Sequence, residues 1–176
     1  MAIDATRTFK PINIAVLTVS DTRTAENDTS GDILAERVVS AGHNLAARMI
    51  VKDDAKLLAA QFDAWIDDPA IDAVVSTGGT GLTGRDVTPE ALSMIAGARD
   101  IPGFGELFRW LSFKSIGTST VQSRACAVVA RGTYIFALPG SNGAVKDGWD
   151  GILAEQLDSR NRPCNFVELM PRLKEV

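Results

Sequence analysis

Asp72-Ala-Val-Val-Ser-Thr-Gly-Gly-Thr-Gly81 is the stretch that decides the fold. After Asp72 the run carries no charge and is small or β-branched, the pattern of a strand buried on both faces. It passes straight into glycines, and a helix signal follows at Thr88-Pro-Glu90. Thr88 is the expected N-cap, Pro89 suits the first helical position, and Glu90 favours the positive helix end. That helix is expected to run to about Ala96.

Upstream, Ile12 to Val19 reads as another strand buried on both faces. Ser30 to Ala41 follows with Ile33, Leu34, Val38 and Ala41 on one helical face, and Gly42 stops it. Leu45 to Val51 reads as a strand interrupted by Arg48. Leu58, Phe62, Trp65 and Ile66 then recur at helical spacing, with Pro69 just beyond. Downstream, Pro102-Gly103 opens a helix, and Cys126–Ala130 and Tyr134–Leu138 form short strands around Arg131-Gly132. The last helix starts at Ser141 and buries Val145, Trp149, Ile152 and Leu153. This alternation predicts an α/β three-layer domain, mostly parallel, with one antiparallel strand from the hairpin near residue 130. Residues 1–11 read as a loose N-terminal extension, 12–168 as the domain and 169–176 as a C-terminal tail.

The chain has 176 residues, 45% hydrophobic and 23% charged, which excludes a disordered or fibrous protein. Ile14 to Val19, its longest aliphatic stretch, is too short to cross a bilayer. Met1 to Lys10 has no apolar core of a signal peptide. Two cysteines, Cys126 and Cys164, fit a reduced, cytoplasmic setting better than a disulfide scaffold. A net charge of −4 without a long basic run argues against nucleic acid or an anionic membrane as partner. One histidine, His43, and two distant cysteines cannot build a zinc site, so a metal would sit on carboxylates, which points to magnesium.

In open α/β sheets ligands bind beyond the carboxyl ends of the strands. Three such ends carry small, polar or glycine residues: Thr18-Val-Ser20-Asp21, Ser76-Thr77-Gly78-Gly79-Thr80-Gly81, and Pro139-Gly140-Ser141. Backbone N–H groups and helix starts there suit a phosphate-bearing ligand. Gly79 to Gly84 formally matches the dinucleotide fingerprint, but the helix starts too late. A phosphate-binding Walker loop fails as well, because Arg85 and Asp86 stand where Lys and Ser/Thr are needed. Asp53 and Asp86 lie on one rim of the sheet and can hold Mg²⁺. Asp53 could equally cap the following helix, as could Asp54, and Asp86 could pair with Arg85. In the segment from Pro102 to Phe113, Phe104, Leu107, Phe108 and Leu111 make one helical face. Trp110 and Phe113 point the other way, as a contact between subunits would.

Thr77-Gly-Gly-Thr-Gly81, Gly84-Arg-Asp-Val-Thr-Pro89, Ile101-Pro-Gly-Phe-Gly-Glu106 and Leu138-Pro-Gly140 together resemble the molybdenum cofactor biosynthesis MoaB/Mog family, over roughly residues 12 to 168. Ile116 to Arg124 and Gln156 to Phe166 resemble its MoaB branch. The resemblance implies an α/β/α fold, a trimer or dimer of trimers, and molybdopterin as ligand. In adenylyltransferase members, ATP and Mg²⁺ activate that pterin. The family's essential aspartates fall on Asp53 and Asp86. Its binding positions fall on Thr77 to Gly81, Ser123 and Pro139-Gly140-Ser141, and Arg124 would help to neutralise the phosphates. Where many adenylyltransferase members have Pro-Gly-x-Pro, this chain has Pro139-Gly-Ser-Asn142, which leaves a non-catalytic pterin carrier as the alternative.

Overall fold

The computed structural model describes residues 3–175. Strands β1 (Asn13–Val19), β2 (Asn44–Val51), β3 (Ala73–Thr77), β4 (Arg99–Asp100), β5 (Cys126–Ala130) and β6 (Thr133–Leu138) form one sheet in the order β2-β1-β3-β6-β5-β4. β2, β1, β3 and β6 pair in parallel, while β5 runs against both β6 and β4. The expected fold class is therefore correct.

Side-chain alternation sorts the core into two layers. Ile14, Val16, Val75, Tyr134 and Phe136 face one side with α1 (Thr29–Ser40), α4 (Pro102–Ile116) and α5 (Asn142–Gly148). Ala15, Leu17, Val74 and Ile135 face the other, beneath α2 (Ala55–Ile66) and α3 (Thr88–Ser93). After α5 the chain continues through a π-helical turn, Trp149–Leu153, into the short α6 (Ala154–Gln156). Inward faces on both sides leave the strand ends free to carry the loops.

Several local expectations need correction. α3 stops at Ser93 rather than near Ala96, and Val87, not Thr88, occupies its N-cap position. The Thr88 hydroxyl donates instead to the Gly78 carbonyl. On α4, Phe104 and Phe108 are buried, but Leu107 is exposed alongside Trp110 and Phe113. Residues 3–10 are not loose. Ile3 bridges Asn161, Arg7 pairs with Glu168, and the Lys10 amide donates to the Ser159 hydroxyl at 2.8 Å. A further helix, α7 (Phe166–Leu169), seats Phe166 against Tyr134 and Phe136, and Met170 and Leu173 pack on the same core.

Candidate active site

The parallel register brings Val19, Thr77 and Leu138 to one edge, so their three loops meet above it. The Gly78 amide donates to the Leu138 carbonyl at 2.9 Å, and the Thr77 hydroxyl donates to Pro139 at 3.0 Å. Gly78 and Gly79 both have positive φ, +105° and +66°. A Cβ on Gly78 would sit 2.2 Å from the Val19 carbonyl, and one on Gly79 would sit 2.4 Å from the Thr88 hydroxyl. Glycine is required at both positions by conformation and by space.

The loop's carbonyls are all taken. Thr88 bonds Gly78 through its hydroxyl and Gly79 through its amide, each at 2.9 Å. Arg124 bonds Thr80 through its amide at 2.9 Å and Gly81 through Nε at 2.7 Å. In a trans peptide the next N–H points opposite to the carbonyl. The loop therefore turns these carbonyls into the protein and the amides of Gly79 and Thr80 the other way, the polarity that an anion needs; the Gly78 amide is taken by Leu138 and the Gly81 amide by the Asp86 carboxylate. Above it lies a crevice of about 430 Å³ lined by Thr18, Ser20, Arg23, Thr77 to Gly81, Asp86 and Pro139 to Ser141. A second cavity of about 350 Å³, lined by Ser112, Thr120, Gln122 and Ser123 among others, shares Thr80, Gly81, Pro139 and Ser141 with it. The Thr80 hydroxyl is buried at this junction and has no hydrogen-bond partner among the described residues.

The acidic residues separate by role. Asp54 caps α2, accepting from the amides of Lys56 and Leu57 at 2.9 and 3.0 Å, which leaves Asp53 free of that duty. Burial, and then the negative charge of Asp21, push the Asp53 carboxyl above its usual range; Asp86 adds in the same direction. At Asp86, burial acts upward, but bonds from the Thr83 hydroxyl and amide (2.7 and 2.8 Å) outweigh it and hold the carboxyl low. Arg85 pairs with Asp21 rather than with Asp86, through Nε at 2.9 Å and Nη2 at 2.5 Å. Asp53 and Asp86 face the loop: a Cβ on Gly79 would lie 3.3 Å from Asp53 Oδ1, and one on Gly81 2.8 Å from Asp86 Oδ2. Among the described residues no group of three or more His, Cys, Asp or Glu side chains could hold a metal ion. Of the two carboxylates expected to hold Mg²⁺, Asp86 lines the crevice and Asp53 does not.

The remaining expected positions serve local structure as well. The Ser20 hydroxyl accepts from the amides of Thr22 and Arg23, each at 3.1 Å. Ser141 caps α5, accepting from the Ala144 amide at 3.2 Å, and Ser123 accepts from the Ala125 amide at 3.2 Å. Arg124 lies behind the glycine loop and bonds its carbonyls. Asp28 is a further buried acid beside the crevice. It is fully buried, caps α1 through the Gly31 amide (3.0 Å), and accepts from Thr18 (2.7 Å) and Arg48 (3.0 Å). Burial acts to raise its pKa, yet those bonds prevail and keep it low. Asp ahead of a Thr-Ser-Gly helix start is a capping signal that could have revealed it.

Residues 15–159 match the family model described as "Probable molybdopterin binding domain". The chain belongs to that family. It is 50% identical over 167 residues to molybdenum cofactor biosynthesis protein B of Escherichia coli strain K12, covering 95% of this chain and 96% of that protein. A crystal structure of molybdenum cofactor biosynthesis protein B superposes with a TM-score of 0.85 at 35% identity, over 97% of this chain and 100% of the other. The tungsten cofactor synthesizing protein MoaB from Pyrococcus furiosus superposes with a TM-score of 0.74 at 34% identity, over 94% and 99%. The likeness to the MoaB/Mog family read from the motifs is thereby established. Among the described residues no helix is long and apolar enough to cross a membrane.

Proposed function

We propose that this protein acts in molybdenum cofactor biosynthesis, binding molybdopterin by its terminal phosphate and transferring an adenylyl group to it from ATP. The observation that carries the reading is the glycine loop, whose carbonyls are all committed to protein donors, so that the amides of Gly79 and Thr80 turn away from them. The names of the relatives support the pathway.

In the transfer, a molybdopterin phosphate oxygen attacks the α-phosphorus of ATP. That O–P bond forms as the bond between the α-phosphorus and its bridging oxygen breaks, and pyrophosphate leaves with the electron pair. The nucleophile is already anionic, so the chain needs no strong base. Its work is alignment and charge neutralisation. Asp53 and Asp86 would hold Mg²⁺, which screens the phosphate charges; the crowding of Asp53 by Asp21 and Asp86 is the kind of negative field that a cation relieves. The exposed apolar face of α4 around Trp110 and Phe113 would join copies of the chain into a trimer or dimer of trimers, with the cytoplasm as its setting.

A second reading, a pterin carrier without transferase activity, is favoured by Asn142. Where many adenylyltransferase members carry proline, this side chain accepts from the Thr29 hydroxyl at 3.0 Å, tying the start of α5 to α1. Incubating purified protein with molybdopterin, ATP and Mg²⁺ separates the two. Release of pyrophosphate with adenylated pterin supports transfer; pterin binding without pyrophosphate leaves the carrier.

A further inference from the structure

Arg124 holds the far side of the glycine loop at several points. Its amide donates to Thr80, its Nε to Gly81 at 2.7 Å, and its Nη2 to the Asp86 carbonyl at 2.5 Å. Both ends of the segment from Thr80 to Asp86 are thus fastened to one residue. The guanidinium is in turn held by the Glu90 carboxylate, with Nη1 on Oε1 and Nη2 on Oε2. The guanidinium makes four bonds from three nitrogens spread over a plane, more than the three N–H groups of a lysine ammonium on one nitrogen can supply. The Asp86 carboxylate is bonded to Thr83 inside the same segment, so its direction follows the segment. The buried, unpartnered Thr80 hydroxyl sits at the segment's other end.

We propose that Glu90 and Arg124 are a pair of positioning residues whose ion pair locks the Thr80–Asp86 loop, aiming the Thr80 hydroxyl and the Asp86 carboxylate at the bound ligand. This rests on the reading of the crevice as a molybdopterin site. The charge arithmetic separates it from a direct role for Arg124 on phosphate. If the guanidinium acted as a free cation, Glu90 would be an inhibitor, and removing its charge would tighten anion binding. If the pair acts as a clamp, removing that charge loosens the loop and weakens binding.

The test compares parent, Glu90→Gln, Arg124→Lys and the double variant in molybdopterin titrations, with amide hydrogen exchange over Leu82 to Asp86 in ligand-free protein. Each single change should weaken binding about tenfold, and the double variant should be no weaker than the worse single, because both remove one device. Exchange over the loop should quicken about tenfold at a nearly unchanged thermal midpoint, since Glu90 is half exposed. Tighter or equal binding in Glu90→Gln, additive losses in the double variant, or unchanged exchange would each overturn the clamp. If the parent itself fails to bind molybdopterin, the functional reading falls, and the exchange measurement alone still decides whether the clamp exists.

Discussion

Asp53 and Asp54 are neighbours of identical chemistry with different duties, and backbone geometry separates them. Asp54 accepts two amides of α2, whereas Asp53 sits over Gly79, in the field of Asp21 and Asp86. Sequence alone leaves either residue as the cap, because both precede the helix by a suitable distance. Asp86 is the sharper test of chemistry. Asp86→Asn keeps an oxygen for the Thr83 bonds and removes the charge, so the fold should survive. Turnover of molybdopterin and ATP should fall by about two powers of ten, or ~3 kcal/mol; equal turnover would remove Asp86 from the mechanism. Gly79→Val tests little about the ligand, since its side chain would collide with Thr88 and Val19 first. Thr80→Val is the better probe. Thr80 is 2% exposed and its hydroxyl is unpartnered, so valine should stabilise the free protein by about 1 kcal/mol, or roughly 2–4 °C in Tm. The same change should weaken molybdopterin binding about tenfold, because the missing hydroxyl is the one that lacks a protein partner. A variant that is less stable and binds normally would show that Thr80 serves packing alone.

Strands β1, β3, β5 and β6 were legible as elements because each is an apolar run bounded by turn residues, and the helices α1, α2 and α4 because their apolar spacing extends over several turns. β4, two residues long, and α7, four, are too short to show any period. α3 ends early at Ser93, before a chain reversal in which Gly97 has φ +75°. The N-terminal segment shows no local pattern in the sequence because its contacts lie with residues 159 to 168, far away along the chain. That segment also covers His43, which is 5% exposed, packs at a tilt against Phe9 with ring centroids 5.1 Å apart, and accepts from the Ile12 amide at 3.3 Å through Nδ1. Burial lowers the His43 pKa, and the charge of Asp158 only partly opposes it. Above about pH 6.5 histidine is largely neutral in both states. Below that, the unfolded chain takes up a proton that folded His43 resists, so stability falls as pH falls, by at most ~1.4 kcal/mol per pH unit for one proton. Thermal midpoints from pH 7.5 to 5 should therefore decline more steeply in the parent than in His43→Gln. Parallel declines would place the acid sensitivity elsewhere.

At the scale of the molecule, α4 faces two ways. Phe104 and Phe108 are buried against the sheet, while Leu107, Trp110, Phe113 and Ile116 are 42%, 59%, 56% and 55% exposed. The Lys114 ammonium lies 3.9 Å from the centre of the Trp110 ring, so even the cation nearby is laid along this apolar face. Composition could suggest the face but not its extent, since Leu107 belongs by spacing to the inner stripe and by structure to the outer one. Aromatic side chains left together on one helix are the kind of surface that a second copy covers. Trp110→Glu places a carboxylate at its centre. In an isolated chain that side chain would remain in water, and stability should change by less than about 0.5 kcal/mol. In an assembly the charge would be buried without a partner, at a cost on the order of 3–5 kcal/mol per contact, enough to dissociate it at micromolar concentration. Light scattering should accordingly report a multiple of 18.8 kDa for the parent and a single chain for the variant. A folded variant of unchanged mass would show that the assembly, if formed, uses another face.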